Sequence, residues 1–231
     1  MSTPKSIQQF DEERADGYDD RIRRIAPGYD ILHGVLASVM TAALGDEAHL
    51  LVVGAGTGAE IAAMGEAQPG WQFTAVDPSS EMLEQCRERV AGTDLDGRVE
   101  YVCERVEDLS SDRPFDGATS IFVSHFLQTR EAKGQYVESI ARRLRPGAPF
   151  MFAGLYDPGD GAGPLWAAWQ EWFARTGASA EEVERTFSKM EDEISFVPEE
   201  ELNQILQTTG FAECTRVYQS FLWGAWWTQR D

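Results

Sequence analysis

The chain has 231 residues, of which 42% are hydrophobic and 11% aromatic, enough for one globular domain with a substantial core. Its 39 acidic residues outnumber its 20 basic ones, which gives a formal net charge of −19 at pH 7. Such a field repels phosphate backbones, so the charge balance argues against DNA or RNA as a partner.

Short apolar runs and an odd number of cysteines further limit the class of protein and its cellular location. The longest runs fall far below the roughly 18 residues of a membrane span, and the opening residues lack the pattern of a secretory signal. The three cysteines, Cys86, Cys103 and Cys214, have no metal-ligand spacing. We therefore expect a cytoplasmic protein with reduced thiols, no membrane contact and no metal site.

The first predicted elements form a helical arm over residues 1–45. Residues 5–24 are polar and helix-compatible, with opposite charges alternating along residues 10–25, and a Pro-Gly break follows. Residues 31–44 then carry apolar side chains at helical spacing and predict an amphipathic helix.

Strands and helices alternate through the next segment, residues 46–156, which we interpret as the core of the fold. The predicted strands are 49–56, 71–77, 99–109, 115–127 and 149–157, and the helices are 59–68, 79–91 and 132–145. Alternation at this spacing predicts right-handed βαβ units and a parallel, doubly wound sheet.

The pattern changes after Asp157. The predicted elements beyond it are helices over 164–176, 179–193 and 198–210 and strands over 211–221 and 222–229. We interpret residues 157–197 as a helical lid insertion, and residues 198–231 as a final helix with an antiparallel hairpin. The chain is thus predicted to be a single α/β domain, 1–231, with seven strands in three layers.

A glycine-rich turn follows the first predicted strand, with Gly54, Gly56 and Gly58 inside five positions. Glycine lets such a turn tighten and brings backbone N–H groups at a helix start close to a ligand. Asp77 ends the second strand, where its carboxylate would reach the same sheet edge and accept both hydroxyls of a ribose. The pattern indicates a nucleotide cofactor, although the glycines alone also fit the looser pattern of NAD sites.

Five motifs in their order along the chain narrow that choice. LLVVGAGTG, AVDPSSEML, RVEYVCERVEDL, FDGATSIFVSHFL and ARRLRPGAPFMF together resemble class I S-adenosylmethionine (SAM)-dependent methyltransferases, which have a Rossmann-like fold. The segment FDEERADGYDDRIRRIAPGYD is similar to the N-terminal arm of carboxy-SAM synthases and their methyltransferase relatives. The resemblance spans nearly the whole chain and implies SAM as cofactor and S-adenosylhomocysteine as product.

The resemblance also implies a set of cofactor-binding residues. By position these are Tyr29, Gly54, Ala55, Gly56, Gly58, Asp77, Pro78, Met82, Arg105, Val106, Ile121 and Phe122. Among them, the glycine turn would meet the methionine part of SAM, Asp77 would take the ribose, and Tyr29 would close the site from the arm.

Two positions depart from the family pattern. Many relatives carry an aspartate that accepts from the adenine amino group where this chain has Arg105, and a guanidinium cannot accept a hydrogen bond. Carboxy-SAM synthases hold the extra carboxylate of their product with an arginine where this chain has Phe187, although Arg185 lies close by. Methyl transfer is therefore favoured over carboxy-SAM synthesis for tRNA wobble-uridine modification. A non-catalytic SAM-binding regulatory module is the third interpretation.

The expected acceptor is a small molecule that takes the methyl group on oxygen, nitrogen or sulfur. His125, just beyond the fourth strand, is the candidate general base, with a packed histidine as the competing interpretation. The candidate residues of the acceptor pocket are Tyr18, Tyr156, Trp166, Trp169 and Phe187. An aromatic wall in the insertion would suit a flat or apolar molecule. The C-terminal segment LWGAWW is interpreted as an edge-strand packing or dimer surface, which leaves a homodimer open.

Overall fold

The computed structural model describes residues 17–111 and 113–231. The strands of the described residues are β1 (His49–Val53), β2 (Gln72–Val76), β3 (Val99–Val102), β4 (Gly117–Ile121), β5 (Pro149–Leu155), β6 (Thr215–Ser220) and β7 (Trp223–Gln229). Their helices are α1 (Tyr18–Ile25), α2 (Tyr29–Ala43), α3 (Ala59–Ala67), α4 (Ser80–Val90), α5 (Arg130–Ala141), α6 (Ala162–Arg175), α7 (Ala180–Glu193) and α8 (Glu199–Thr208).

The strands form one sheet in the order β3-β2-β1-β4-β5-β7-β6. β1 pairs in parallel with both β2 and β4, and β7 runs antiparallel between β5 and β6. The direction of chain progression reverses between β1 and β4, and open α/β sheets bind ligands in the crevice at such a switch point. The predicted α/β class with an antiparallel C-terminal hairpin is confirmed.

Local sequence signals explain where several helices begin. Ser79, Thr129 and Ser179 stand before α4, α5 and α7, and each hydroxyl accepts the backbone N–H three positions on at 3.1 to 3.2 Å. Hydroxyl residues at this position satisfy donors that a helix start leaves without partners. α3 begins instead behind Gly58, whose φ of 76° is left-handed.

Two apolar clusters cover the faces of the sheet. One joins α2, α3 and the lid residues Trp169 and Phe187, and the other lies beneath α5, α8 and the ring of Trp226. The lid also contacts the arm, because the indole N–H of Trp169 donates to the carbonyl of Ile25 at 2.5 Å. The layers are therefore helix, sheet and helix, with arm and lid on the same side.

The predicted and observed boundaries differ most at two strand ends. β3 and β4 end at Val102 and Ile121, well before the predicted 109 and 127, because the chain leaves the sheet there to line a cavity. The predicted polar helix at 5–24 is described only from Gly17 onward, where α1 begins at Tyr18, and residues 5–16 lie outside the described part. Within the described ranges, every helix is too short or too polar to cross a membrane.

Candidate functional site

A cavity of about 360 Å³ lies at the carboxyl ends of β1, β2 and β4. Its walls come from the glycine turn after β1, the tip of β2, the loop after β3 and the segment after β4. Cofactor and small-molecule sites are concave spaces of about this size, lined mainly by apolar groups with a few convergent polar ones. The cavity occupies the switch point of the sheet.

The three glycines of the turn are required for different reasons. A Cβ at Gly54 would lie 2.2 Å from Cγ2 of Val123, and one at Gly58 would lie 2.5 Å from Sγ of Cys86. A Cβ at Gly56 would meet only the carbonyl of Gly54, at 3.9 Å. Gly54 and Gly58 therefore allow close packing of protein on protein, whereas Gly56 leaves its space to the cavity.

Asp77 joins the tip of β2 to the turn. Its Oδ2 accepts the backbone N–H of Gly56 at 3.0 Å, and its Oδ1 accepts the N–H of Ser79 at 2.9 Å. Burial raises the pKa of this carboxyl, and the two N–H donors oppose that shift. Each oxygen keeps a lone pair that a ligand hydroxyl can use.

Arg105 lies in the loop after β3 and lines the cavity. Its side chain is partly exposed and pairs with Glu107, with Nη2 to Oε1 at 3.3 Å. Among the described lining residues it is the only cation, against the carboxylates of Asp77, Glu104 and Glu107. The surplus of negative charge favours a cationic ligand.

Phe122 follows β4 with a left-handed φ of 61°. Such a conformation costs a bulky residue about 1–3 kcal/mol and clusters at ligand sites. Its N–H donates to the carbonyl of Ala153 at 2.8 Å, and its ring centroid lies 4.4 Å from that of Trp223. The strained residue thus forms part of the cavity wall, with its ring packed beside Trp223.

Most of the implied cofactor residues come together in the cavity wall. The lining members are Gly54, Gly56, Asp77, Pro78, Met82, Arg105, Val106, Ile121 and Phe122. Tyr29, Ala55 and Gly58 lie outside the wall, and the ring of Tyr29 packs behind Phe122 with 6.1 Å between centroids.

His125 is placed away from the cavity wall. Its side chain is buried, its ring packs against Phe126 and Trp223, and its Nδ1 accepts the N–H of Leu155 at 3.4 Å. Burial, with a smaller effect of the Lys133 ammonium, lowers the pKa of the imidazole to about 3. The position supports a packing role, and the predicted base has no contact with the space a ligand would fill.

The predicted acceptor pocket separates into two groups. Tyr18 lines the cavity, but Tyr156 is buried and its hydroxyl accepts from Arg216 at 2.6 Å. The lid aromatics pack on one another, with ring centroids 4.8 Å apart for Trp169 and Phe187 and 5.1 Å apart for Trp166 and Phe187. The spacing of aromatic residues along a helix does not show which of its faces packs inward. Here the lid rings pack against one another.

Glu60 and the lining residues 127–129 were missed in the sequence. Glu60 is buried at the start of α3, where the hydroxyl of Thr119 donates to it at 2.6 Å and burial raises its pKa to about 8. In the sequence it looks like an ordinary acid in a first helical turn. Leu127, Gln128 and Thr129 line the cavity, although 127 was predicted as strand.

Three observations fit an adenosyl sulfonium in this cavity. The turn leaves open space where a Cβ of Gly56 would stand, the Asp77 oxygens have free lone pairs, and the wall carries surplus negative charge. Gly54, Gly56 and Asp77 would hold such a ligand.

The segment that matches a known family contains most of the residues that line this cavity. Residues 51–150 match the model of a family described as methyltransferase domain. The chain is 24% identical over 224 residues to the carboxy-S-adenosyl-L-methionine synthase of Campylobacter curvus, covering 95% of this chain and 92% of that protein. Against the synthase of the same name from Aeromonas hydrophila it is 29% identical over 142 residues, covering 60% of this chain and 55% of the relative. That match thus spans little more than half the relative's length.

A solved structure shows a similar fold. The 1,6-didemethyltoxoflavin-N1-methyltransferase of Burkholderia thailandensis, with bound 1,6-didemethyltoxoflavin and S-adenosylhomocysteine, superposes with a TM-score of 0.63. Its sequence is 21% identical, and the superposition covers 100% of this chain and 91% of that one. The predicted Rossmann-like arrangement is confirmed by this likeness.

Proposed function

We propose that this chain is a class I SAM-dependent methyltransferase with S-adenosylmethionine as its cofactor, and that it methylates an oxygen, nitrogen or sulfur atom of a small-molecule acceptor. The cofactor supplies a methyl group made electrophilic by a sulfonium centre. The observation that carries this proposal is the lid, in which Phe187 is buried among aromatic rings.

Holding and orienting the two reactants is the main task of the protein in such a reaction. Gly56 and Asp77 would fix the cofactor at the switch point, and Phe122 would form part of the wall around the reacting groups. Alignment of reacting atoms at about 3 Å supplies several kcal/mol without any proton transfer. No histidine lines the cavity among the described residues, and a base is needed only for an acceptor that is protonated at the working pH.

Carboxy-SAM synthesis is the second candidate, favoured by the names of the curated relatives. Such a product carries an extra carboxylate, and a buried carboxylate without a cationic partner is costly. Phe187 is 2% exposed and Arg185 lies at the surface, so neither would hold that carboxylate. This difference supports methyl transfer.

Mass spectrometry tests the proposal. Purified protein would be incubated with SAM and a panel of phenols, amines and thiols, and the bound nucleoside would be identified separately. Methyl transfer predicts a methylated acceptor and an equal amount of S-adenosylhomocysteine. A carboxylated sulfonium bound to the protein would support the second candidate, and tight SAM binding without any product would support a non-catalytic module.

A further inference from the structure

Thr57, in the middle of the glycine turn, is held by two side chains that lie outside the cavity wall. Its hydroxyl donates to Oδ1 of Asp19 at 2.7 Å, and its carbonyl accepts from Nε of Arg89 at 2.6 Å. The Arg89 guanidinium also pairs with Oδ2 of Asp19. α1, α4 and the turn are thereby joined in one closed network.

This network restricts the conformation of a turn whose glycines are flexible. Gly56 and Gly58 flank Thr57 in left-handed conformations, and glycine loses more backbone freedom on ordering than any other residue. Hydrogen bonds to charged groups are roughly twice as strong as neutral ones, so Asp19 and Arg89 hold the hydroxyl and the carbonyl of Thr57 firmly. Thr57 is buried, which keeps water from competing for these bonds.

The other end of α1 is attached to the lid. The indole N–H groups of Trp169 and Trp172 donate to the carbonyls of Ile25 and Arg24, at 2.5 and 3.1 Å. A helix leaves its last carbonyls without internal partners, and α6 provides them here. α1 has eight residues, a length of about 12 Å, and therefore links the cofactor turn directly to the lid.

We propose that Asp19 and Arg89 are positioning residues that fix the glycine turn through Thr57 and, through α1, couple cofactor binding to docking of the lid. The inference rests on the proposed function, since it assigns this network to the SAM site. Tyr18, next to Asp19, lines the cavity, so the same helix also contributes a wall. Coupling of this kind is reciprocal: if docking of the lid raises cofactor affinity by some factor, the cofactor stabilises the docked lid by the same factor.

Two pairs of variants test the proposal. Asp19→Asn removes the charge that pairs with Arg89 and Thr57→Val removes the hydroxyl that donates to Asp19, while Asp20→Asn and Thr57→Ser are the matched controls. Asp20 is an exposed neighbour of the same charge, and serine keeps the hydroxyl. Calorimetry with S-adenosylhomocysteine should show about tenfold weaker binding for the first pair and nearly unchanged binding for the controls.

Hydrogen exchange in α6 separates positioning from general stabilisation. In the unmodified protein, S-adenosylhomocysteine should slow exchange of the 162–175 amides, and this slowing should shrink in Asp19→Asn and Thr57→Val. A merely structural role would lower thermal stability but leave the ligand-dependent slowing in place.

Several results would overturn the proposal. Unchanged affinity in Asp19→Asn and Thr57→Val would exclude positioning of the turn, and unchanged slowing in α6 would exclude coupling to the lid. If Asp19→Asn does not fold, the comparison of Thr57→Val with Thr57→Ser decides. Failure of the unmodified protein to bind S-adenosylhomocysteine would overturn the proposed function itself, a result distinct from the others.

Discussion

The carboxylate of Asp77 accepts the backbone N–H of Gly56 at 3.0 Å, so the tip of β2 and the turn after β1 hold each other in place. The sequence predicted Asp77 only as the partner of a ribose. In the structure the same side chain also fixes the glycine whose open space faces the cavity. A substitution at Asp77 therefore disturbs both the predicted contact and the turn.

Replacing Gly56 with alanine tests whether that open space belongs to a ligand. Gly92 is the matched control, because it is also left-handed and a Cβ there would meet nothing within 4 Å. Each substitution should lower the free energy of unfolding by about 1–2 kcal/mol through backbone strain. Only Gly56→Ala should also weaken S-adenosylhomocysteine binding, measured by calorimetry. Equal loss of binding in both variants would assign the effect to strain.

The attachment of the lid predicts unequal effects at two tryptophans. Trp169 is fully buried, so Trp169→Phe removes both packing volume and a hydrogen bond and should cost about 2–4 kcal/mol. Trp172 is 40% exposed, and Trp172→Phe should cost less than about 1 kcal/mol. Urea unfolding measures both values. Similar costs at the two positions would contradict the described packing of α6 on α1.

Glu60 gives the fold a dependence on pH. Its pKa is about 8 in the folded protein because of burial, above the ordinary 4.5. Its contribution to stability is therefore complete below about pH 4.5 and is lost as pH rises toward 8. Relative to Glu60→Gln, the unmodified protein should lose a few kcal/mol of unfolding free energy across that window.

Urea unfolding of the two proteins at about pH 5 and about pH 8 measures this difference. The glutamine variant is the appropriate reference, because it keeps an oxygen that can accept from Thr119. A difference that stays constant with pH would show that the carboxyl of Glu60 ionises normally.

For His125 we expect stability to depend on pH with the opposite sign to that expected for Glu60. Burial lowers the pKa of its imidazole from 6.5 to about 3. Between these two pH values the imidazole is therefore protonated in the unfolded chain but neutral in the folded protein. Relative to His125→Asn, the unmodified protein should lose stability as pH falls through the range from 6.5 toward 3. NMR should show a neutral ring at pH values near 6. A ring that titrates normally, with methyl transfer lost in a folded variant, would restore His125 as a base.

Local patterns in the sequence were sufficient to predict most of the framework. Alternating strand and helix signals gave the parallel sheet, and the glycines with Asp77 gave the edge where the cavity lies. Both depend on residues close together in the chain or at equivalent strand ends. The switch point then follows from topology alone.

Long-range contacts between side chains were not predictable in this way. Asp19 and Arg89 are 70 residues apart, and nothing in the arm segment that contains Asp19 or in the predicted helix that contains Arg89 indicates that the two side chains pair. The sequence placed Trp169 and Phe187 in the lid, but it carried no information on whether the rings face a cavity or each other. The outcome depends on how α6 and α7 pack, which is a property of the assembled fold.

Calorimetric titration of S-adenosylhomocysteine into the unmodified protein and into Asp77→Ala tests the central claim most directly. We expect binding to the unmodified protein, none of comparable strength for NAD, and at least about tenfold weaker binding to the variant, since hydrogen bonds to a charged group are worth about 1.5–3 kcal/mol each. Circular dichroism would verify that the variant is folded. Equal affinity of the two folded proteins would contradict the assignment of this cavity to the cofactor.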